Sequence, residues 1–321
     1  MTIEKAIDKF VDNITVTDKQ EDVIDSAFSN IESLLLDEDC NLSVKDVFLN
    51  GSYVRDTMIR PLDDIDVFAV LDAADYYENG ERPNPQSVLT KFKNYLGGLP
   101  DYKDKVSQDR PCVTIELSKL KIDVLPALRE YGALHIPNES LTEWVLTAPK
   151  THTSKLDTVN SLRDGKVKDI VKVVKSWKKQ NDYKIPSFHI EEIAISIFNI
   201  CSFSNLEEGI RKWFKYAKSY IMIDRFNTEN QYNAALKAIN AVADELSDAK
   251  SKLDDKKEAE AIKIWHDIFG NDFPTISEEE AKRMSSLLSE GKLRYGAATG
   301  LSAMSGHAVA ASKGFYGEEK W

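Results

Sequence analysis

Two aspartates stand one strand repeat apart in a short apolar segment, and their spacing predicts that they share a face. The segment reads Asp-Ile-Asp-Val-Phe-Ala-Val-Leu from Asp64 to Leu71. In a strand, alternate side chains point to opposite sides, so Asp64 and Asp66 project together while Asp63 falls on the other face. Two adjacent carboxylates repel each other, and a divalent cation between or beside them offsets that cost. Carboxylate oxygens suit Mg²⁺, which keeps waters and substrate phosphates as its other ligands.

A third aspartate repeats this pattern later in the chain. Asp123 lies between Ile122 and Val124, so it is a lone charge in an otherwise apolar strand. Such a charge is costly to bury without a partner. If the two strands are neighbours in a sheet, Asp64, Asp66 and Asp123 converge on two metal ions about 4 Å apart, the arrangement used for in-line phosphoryl transfer.

A Gly-Ser pair precedes Asp64 by eleven intervening residues. Gly51 lets the backbone approach a phosphate closely, and Ser52 begins a short helix whose N-terminal amides and dipole favour an anion. A Gly-Ser pair alone is most often an ordinary turn. The complete set, with an Asp-apolar-Asp strand and a later strand aspartate, favours a site for metal and phosphate.

These side chains need a sheet to bring them together, and the first half of the chain predicts one. Short segments rich in β-branched and aromatic residues predict strands at 44–50, 65–71, 112–117 and 120–125. A two-residue Ser-Lys turn separates the last two strands. Helical periodicity predicts helices at 3–13, 17–37 and 87–97. After Pro126 the pattern is irregular to about residue 150.

From residue 151 the pattern is helical nearly to the end of the sequence. The expected fold class is therefore α+β, with a mixed β-sheet in a core that packs on a C-terminal helical lobe. The expected domains are a catalytic core with the N-terminal helices at 1–150, a helical lobe at 151–293 and a tail at 294–321. The tail is rich in Gly, Ala and Ser and is expected to be flexible.

Composition excludes several classes of protein. The 321 residues are 42% hydrophobic and 30% charged, which is typical of a globular chain and not of a disordered or fibrous one. No window resembles a membrane span, and the charged start does not resemble a signal peptide, so a cytoplasmic location without membrane association is expected. Three widely separated cysteines predict neither a disulfide framework nor a zinc site.

The charge is unevenly distributed. The formal net charge is −11, which argues against a protein that grips long nucleic acid. Residues 150–184, however, hold ten Lys and Arg against four Asp, a local charge of +6. Such a run is either the solvated face of a helix or a binding surface for a compact anion such as a nucleoside triphosphate.

The chemistry-bearing residues resemble the signature of a known superfamily. Gly51-Ser52, the Asp64-x-Asp66 strand and Asp123 are similar to the motif of the DNA polymerase β-like nucleotidyltransferases. Further segments resemble the bacterial CD-NTases, the cGAS- and oligoadenylate-synthetase-like enzymes of anti-phage (CBASS) signalling. Those segments are Ile136-Pro137 with Trp144-Val145, Val174 to Trp177, Pro186-Ser187 with Ile190-Glu191, and Trp265 to Pro274, and the resemblance covers about residues 20–275.

The resemblance implies a metal-dependent nucleotidyltransferase that makes a cyclic di- or trinucleotide second messenger and releases pyrophosphate. The implied substrates are nucleoside triphosphates, ATP among them. The implied cofactor is Mg²⁺, with Mn²⁺ as an alternative, at two ions per site. Asp64 and Asp66 would bind both ions, and Asp123 would bind the catalytic ion and help to deprotonate the acceptor 3′-hydroxyl.

The resemblance also implies residues that bind the triphosphate. Gly51 and Ser52 would hold the donor nucleotide, and Lys175 and Ser187 look like a helix lysine and a downstream serine that contact the phosphates. Lys172, Lys175 and Lys179 share one helix face, which supports this assignment. Ser187 has the alternative role of a helix N-cap.

Other functions fit the sequence less well. A polymerase-type enzyme that adds nucleotides to RNA needs a broad basic surface, which this acidic chain lacks. Antibiotic- or toxin-inactivating nucleotidyltransferases are usually shorter. A catalytically silent nucleotide sensor is disfavoured because all three aspartates are present. A regulatory or conjugating partner that acts on the C-terminal tail is compatible with the sequence. Base choice, linkage, ring size, activating signal and oligomeric state do not follow from it.

Overall fold

The computed structural model describes residues 1–275 except 78 and 110, together with 286, 294–296, 300–302 and 307–308. The chain divides into two units, one formed by Met1–Ile14 with Val159–Trp321 and the other by Thr15–Thr158. The helices are α1 (Ile3–Ile14), α2 (Asp18–Leu35), α3 (Gly51–Val54), α4 (Ala73–Tyr76), α5 (Pro85–Gly98), α6 (Pro149–Ser161), α7 (Val167–Gln180), α8 (Ser187–Ile200), α9 (Leu206–Ala217), α10 (Glu229–Asp254) and α11 (Glu258–Phe269). The strands are β1 (Val44–Asn50), β2 (Asp64–Asp72), β3 (Val106–Asp109), β4 (Cys112–Glu116), β5 (Lys121–Glu130), β6 (Ala133–Pro137), β7 (Trp144–Thr147), β8 (Arg294–Gly296), β9 (Gly300–Ser302) and β10 (His307–Ala308).

A mixed seven-stranded sheet forms the unit Thr15–Thr158. Its strand order is β1-β2-β5-β4-β3, with β6 paired to β5 and β7 paired to β6. Strands β2 and β5 run parallel, and the other neighbouring pairs run antiparallel. A parallel pair requires a long crossover, which here contains α4, α5 and the β3–β4 hairpin. The predicted α+β class with a mixed sheet is confirmed.

Side-chain alternation along β2 separates the core from the polar face of the sheet. Ile65, Val67 and Ala69 are buried in a cluster that includes apolar residues of α2 and α5. Each large aliphatic side chain buried in this way contributes about 1.5–3 kcal/mol to folding. Because alternate side chains point to opposite faces, Asp64 and Asp66 project away from this cluster, as the sequence pattern predicts.

Local sequence signals fix the start of the helices that cover this core. The backbone N–H of Thr17 donates to Gln20 Oε1 at 3.1 Å, which is one of the two hydrogen bonds of a capping box at the start of α2. The backbone N–H of Ser87 donates to Asn84 Oδ1 at 3.2 Å, so Asn84 caps α5. Pro85 is the first residue of α5, where its missing N–H costs no helical hydrogen bond.

The segment after Pro126 is more regular than the sequence suggests. Strand β5 continues through Pro126 to Glu130, and β6 and β7 follow. Lys121 N–H donates to Asp63 O on the β2 side, so even-numbered residues of β5 direct their N–H groups to the opposite edge. On that edge β4 pairs with 121–124 and β6 with 128–130, so Pro126 lies in the gap between them. Its missing donor therefore breaks no ladder hydrogen bond.

Helix α1 belongs to the helical unit, whereas the expected domain boundaries place it with the catalytic core. It contacts α7, α9 and α11, and its apolar residues are buried. The Phe10 ring lies with its centroid 5.6 Å from that of Phe269 and 5.3 Å from that of Phe273. Amphipathic spacing predicts that α1 buries one face, but it does not name the helices that cover that face.

The turn after α11 holds this aromatic cluster against α7. Gly270 has φ +70°, and a Cβ there would lie 1.4 Å from Gln180 Nε2. In the segment from Trp265 to Pro274, which the resemblance singles out, the aromatic residues Trp265, Phe269 and Phe273 are buried in the interior of the helical unit.

The predicted tail, 294–321, lies outside the described residues except for β8, β9 and β10, which form a small antiparallel sheet in the order β10-β8-β9. The helical sequence pattern continues through residues 277–291, which also lie outside the described residues apart from residue 286. Among the described helices, none is long and apolar enough to cross a membrane.

Candidate active site

The end of β1 brings backbone directly against a carboxylate of β2. Asn50 pairs with Asp66 across the two strands, and Gly51 follows with φ +79°. A Cβ at Gly51 would lie 1.8 Å from Asp66 Oδ2. This position therefore requires glycine for two reasons, because the backbone is left-handed and because the Asp66 carboxylate occupies the space.

Three carboxylates from two parallel strands meet beside this turn. Asp66 on β2 and Asp123 on β5 are direct partners in the strand register, and Asp64 lies two residues before Asp66 on the same face. One carboxylate oxygen from each of Asp64, Asp66 and Asp123 lies within 4.8 Å of the other two. The structure thus brings together the three aspartates that the sequence pattern selects.

The electrostatics of this cluster fit a hard divalent cation. Burial raises the pKa of Asp123, and the neighbouring Asp64 carboxylate raises it further, whereas a hydrogen bond from Thr114 works in the opposite direction. A cation among the three carboxylates would favour their ionised forms. All the donors are oxygens, which suits Mg²⁺ or Mn²⁺ better than a metal that prefers nitrogen or sulfur.

Strand β4 adds two residues to the site that the sequence reading does not select. Thr114 pairs with Asp123 across the β4–β5 hairpin, and its Oγ1 donates a hydrogen bond to Asp123 Oδ1. Cys112 lies on the same face of β4, and burial, followed by the Asp123 charge, raises the pKa of its thiol to about 12. A signal was available, because the two-residue Ser-Lys turn fixes a register that places Thr114 opposite Asp123.

Ser52 lies in a turn that hydrogen bonds connect to neighbouring parts of its unit. Its carbonyl accepts the backbone N–H of Thr57 at 2.8 Å, and Tyr53 OH donates to Asp25 Oδ1 of α2 at 2.9 Å. Burial, followed by the hydrogen bond to Asp25, raises the pKa of Tyr53 to about 12. Among the described residues, the Ser52 hydroxyl makes no hydrogen bond. Helix α3 has four residues, so an anion at Ser52 would be bound by single donors and little by a helix dipole.

Lys175 and Ser187 belong to the helical unit and do not contact each other there through their polar groups. The Lys175 side chain is buried, and its Nζ lies 2.7 Å from Glu191 Oε1, an atom of a side chain with no exposed surface. Ser187 is the first residue of α8, and its Oγ accepts a hydrogen bond from Lys178 Nζ at 3.0 Å. Ser187 is therefore not the N-cap, which is Pro186. The lysine that contacts Ser187 is Lys178, to which the sequence pattern assigns no role of its own.

Comparisons with known proteins agree on one family. The profile of the Second Messenger Oligonucleotide or Dinucleotide Synthetase domain matches residues 1–160. The chain is 27% identical over 270 residues to a cyclic AMP-AMP-AMP synthase of an Acinetobacter species, across 75% of this chain and 76% of that protein. This chain belongs to the bacterial CD-NTases.

Solved CD-NTase structures share the fold of this member. The Escherichia coli MS115-1 protein CdnC superimposes with a TM-score of 0.69 in a complex with HORMA-deltaN and 0.68 with ATP, at 19% identity. In both cases the match covers 84% of this CD-NTase and 98% of CdnC. An E. coli protein named CBASS oligonucleotide cyclase CdnC is 21% identical across 78% of this chain and 89% of its own.

The family match covers some of the predicted site residues of this CD-NTase and not others. Residues 1–160 contain Gly51, Ser52 and all three aspartates, and they end before α7. The chain is thus a nucleotidyltransferase of a family of cyclic oligonucleotide synthases. The assignment of Lys175 and Ser187 to the triphosphate stays a prediction from the resemblance.

Proposed function

We propose that this CD-NTase joins nucleoside triphosphates, ATP among them, into a cyclic di- or trinucleotide that acts as a second messenger in anti-phage signalling. The observation that carries the proposal is the cluster of Asp64, Asp66 and Asp123 beside the Gly51-Ser52 turn. The name of the Acinetobacter relative and the ATP complex of CdnC support ATP as a substrate.

Each residue of the cluster has a role in this proposal. Asp64 and Asp66 would hold two Mg²⁺ or Mn²⁺ ions, and Asp123 would bind one of them. When bound, the ions activate the attacking oxygen and neutralise charge on the leaving group. The acceptor 3′-hydroxyl loses its proton with the help of Asp123, and its oxygen forms a bond to the donor α-phosphorus. The bond from that phosphorus to the oxygen that bridges it to the β-phosphate breaks, and pyrophosphate leaves.

Other residues position the donor nucleotide. Gly51 allows the backbone to approach the phosphates, and the Ser52 hydroxyl donates a hydrogen bond to one of them. Lys175 and Ser187 are proposed as further triphosphate contacts. Because Lys178 lies at Ser187 and Lys175 is paired with Glu191, we extend the proposal to Lys178. No long nucleic acid is needed as a substrate.

A protein partner that regulates the enzyme is part of the proposal. The HORMA complex of CdnC is a precedent for a partner in a protein of the same fold. Conjugation of the C-terminal tail is a separate hypothesis, and it concerns residues outside the described part of the chain.

The proposal is tested by incubating the purified chain with all four nucleoside triphosphates and Mg²⁺ or Mn²⁺, with and without candidate activators. Mass spectrometry and nuclease mapping identify the product, and the pyrophosphate released is measured in parallel. We expect a phosphatase-resistant cyclic product that is absent with Asp64→Asn/Asp66→Asn. Linear products alone, or incorporation of labelled ATP into added tRNA, would contradict the proposal.

A further inference from the structure

One carboxylate of the cluster, that of Asp123, accepts a hydrogen bond from the neighbouring strand β4. Thr114 lies directly opposite Asp123 in the β4–β5 hairpin and is 5% exposed. Its Oγ1 donates a hydrogen bond to Asp123 Oδ1. Threonine is branched at Cβ and has a restricted χ1 angle, so the position of this hydroxyl is fixed by the strand itself.

The hydrogen bond makes the two oxygens of Asp123 inequivalent. The terminal torsion of an aspartate is broad and roughly two-fold, and crowding with Asp64 and Asp66 would turn a free carboxylate away from the cluster. Thr114 holds Oδ1 on the β4 side. The other oxygen, Oδ2, accepts no hydrogen bond from Thr114 and keeps both lone pairs for a cation.

We infer that Thr114 is a positioning residue of the metal site, which orients the Asp123 carboxylate so that Oδ2 is presented to a divalent cation. The consequence for catalysis rests on the proposed function, whereas the consequence for cation binding does not. Residues that hydrogen-bond to metal ligands typically change metal affinity by about 10- to 100-fold when they are removed.

Three substitutions separate the hydroxyl from the shape of the side chain. Thr114→Val keeps the branched shape and removes the donor, whereas Thr114→Ser keeps the donor. Thr90→Val is the matched control, because it removes a threonine hydroxyl of the same unit that bonds to the Gln86 carbonyl at 2.8 Å. If Thr114→Val fails to fold, Thr114→Ala replaces it.

The experiment measures Mn²⁺ binding to the full chain without nucleotide, by the electron paramagnetic resonance signal of free Mn²⁺. We expect Thr114→Val to weaken the binding about 10-fold or more, and Thr114→Ser and Thr90→Val to stay within about threefold of the wild type. In an Asp123→Asn background, Thr114→Val should have no further effect. Wild-type affinity in Thr114→Val, or an equal loss in the Asp123→Asn background, would overturn the inference.

A kinetic readout distinguishes this inference from the proposed function. In product formation, Thr114→Val should raise the Mg²⁺ concentration needed for half-maximal rate and leave the KM for the nucleotide unchanged. If the wild type binds Mn²⁺ and Thr114→Val does not, but no cyclic product forms under any condition, the positioning role stands and the proposed function fails. If the product forms and the variants bind Mn²⁺ alike, the reverse holds.

Discussion

Gly51 and Asp66 are in direct contact at the centre of the candidate active site, because a Cβ at Gly51 would lie 1.8 Å from Asp66 Oδ2. The contact joins the turn that we propose to bind phosphate to a carboxylate that we propose to bind metal. A change in either residue must therefore disturb the other.

Gly51→Ala tests this contact. We expect product formation to fall by at least about 100-fold, because the new methyl group displaces the Asp66 carboxylate, and the positive φ adds about 1–2 kcal/mol of destabilisation. Gly132→Ala is the matched control, since Gly132 has φ +82° and a Cβ there meets nothing within 4 Å. It should carry the backbone cost and keep full activity. Equal activity in the two variants, measured beside their urea unfolding curves, would refute the contact as the cause.

Repulsion within the carboxylate cluster should be visible in metal-free stability. Asp64→Asn removes a charge that raises the pKa of Asp123, so without divalent cations the variant should melt about 2–4 °C above the wild type. Adding Mg²⁺ or Mn²⁺ should raise the melting temperature of the wild type and have little effect on the variant. Asp63→Asn, on the residue before β2, is the control and should respond to the cations as the wild type does. A metal-independent wild type would argue against the site.

Two of the lysines of α7, Lys175 and Lys178, allow effects on stability and on nucleotide binding to be measured separately. Lys175→Met leaves the fully buried Glu191 carboxylate without its 2.7 Å partner, which should cost about 3–5 kcal/mol in urea unfolding. Lys175→Met/Glu191→Leu should recover most of that loss. Lys178→Ala should change the unfolding free energy by less than about 0.5 kcal/mol and raise the KM for the nucleotide. A Lys175→Met protein as stable as the wild type would contradict the structural role of the pair.

Short-range patterns in the sequence predicted the parts of the site that lie on single strands. Alternation places Asp64 and Asp66 on one face, and the Ser-Lys turn is enough to fix the register of β4 against β5. The pairing of Asp66 with Asp123 is different, because the two strands are parallel and a long crossover separates them. No local pattern sets that register, so the convergence of the three carboxylates is a hypothesis that only the tertiary structure can test.

Buried ion pairs and helix partners were harder to predict. Helical spacing groups Lys172, Lys175 and Lys179 on one face, but it does not show that Glu191, on the next helix, pairs with Lys175. A lysine that contacts phosphate and a lysine that contacts a buried carboxylate look alike in sequence. Likewise, the sequence pattern places a strand end at Pro126. Only the tertiary structure shows that this proline lies in a gap between β4 and β6, where the strand can continue through it.

Glu208 should make the helical unit sensitive to acid. Burial works to raise the pKa of Glu208, but the Lys212 ammonium at 2.7 Å and two hydrogen bonds from Ser204 outweigh it and lower the pKa to about 2. Because the folded pKa lies below the ordinary value of 4.5, the ionised group stabilises the fold above about pH 4.5. That contribution is lost as the pH falls towards 2.

Glu208→Gln should therefore destabilise the protein by about 1 kcal/mol at pH 7, a modest figure because the ion pair is partly exposed to solvent. The difference from the wild type in urea unfolding should shrink as the pH falls from 5 and be mostly lost by about pH 2. Glu245→Gln, an exposed position on α10, serves as the control and should follow the wild type at every pH. A difference between Glu208→Gln and the wild type that stays constant from pH 7 to pH 2 would show that the charge of Glu208 is not its cause.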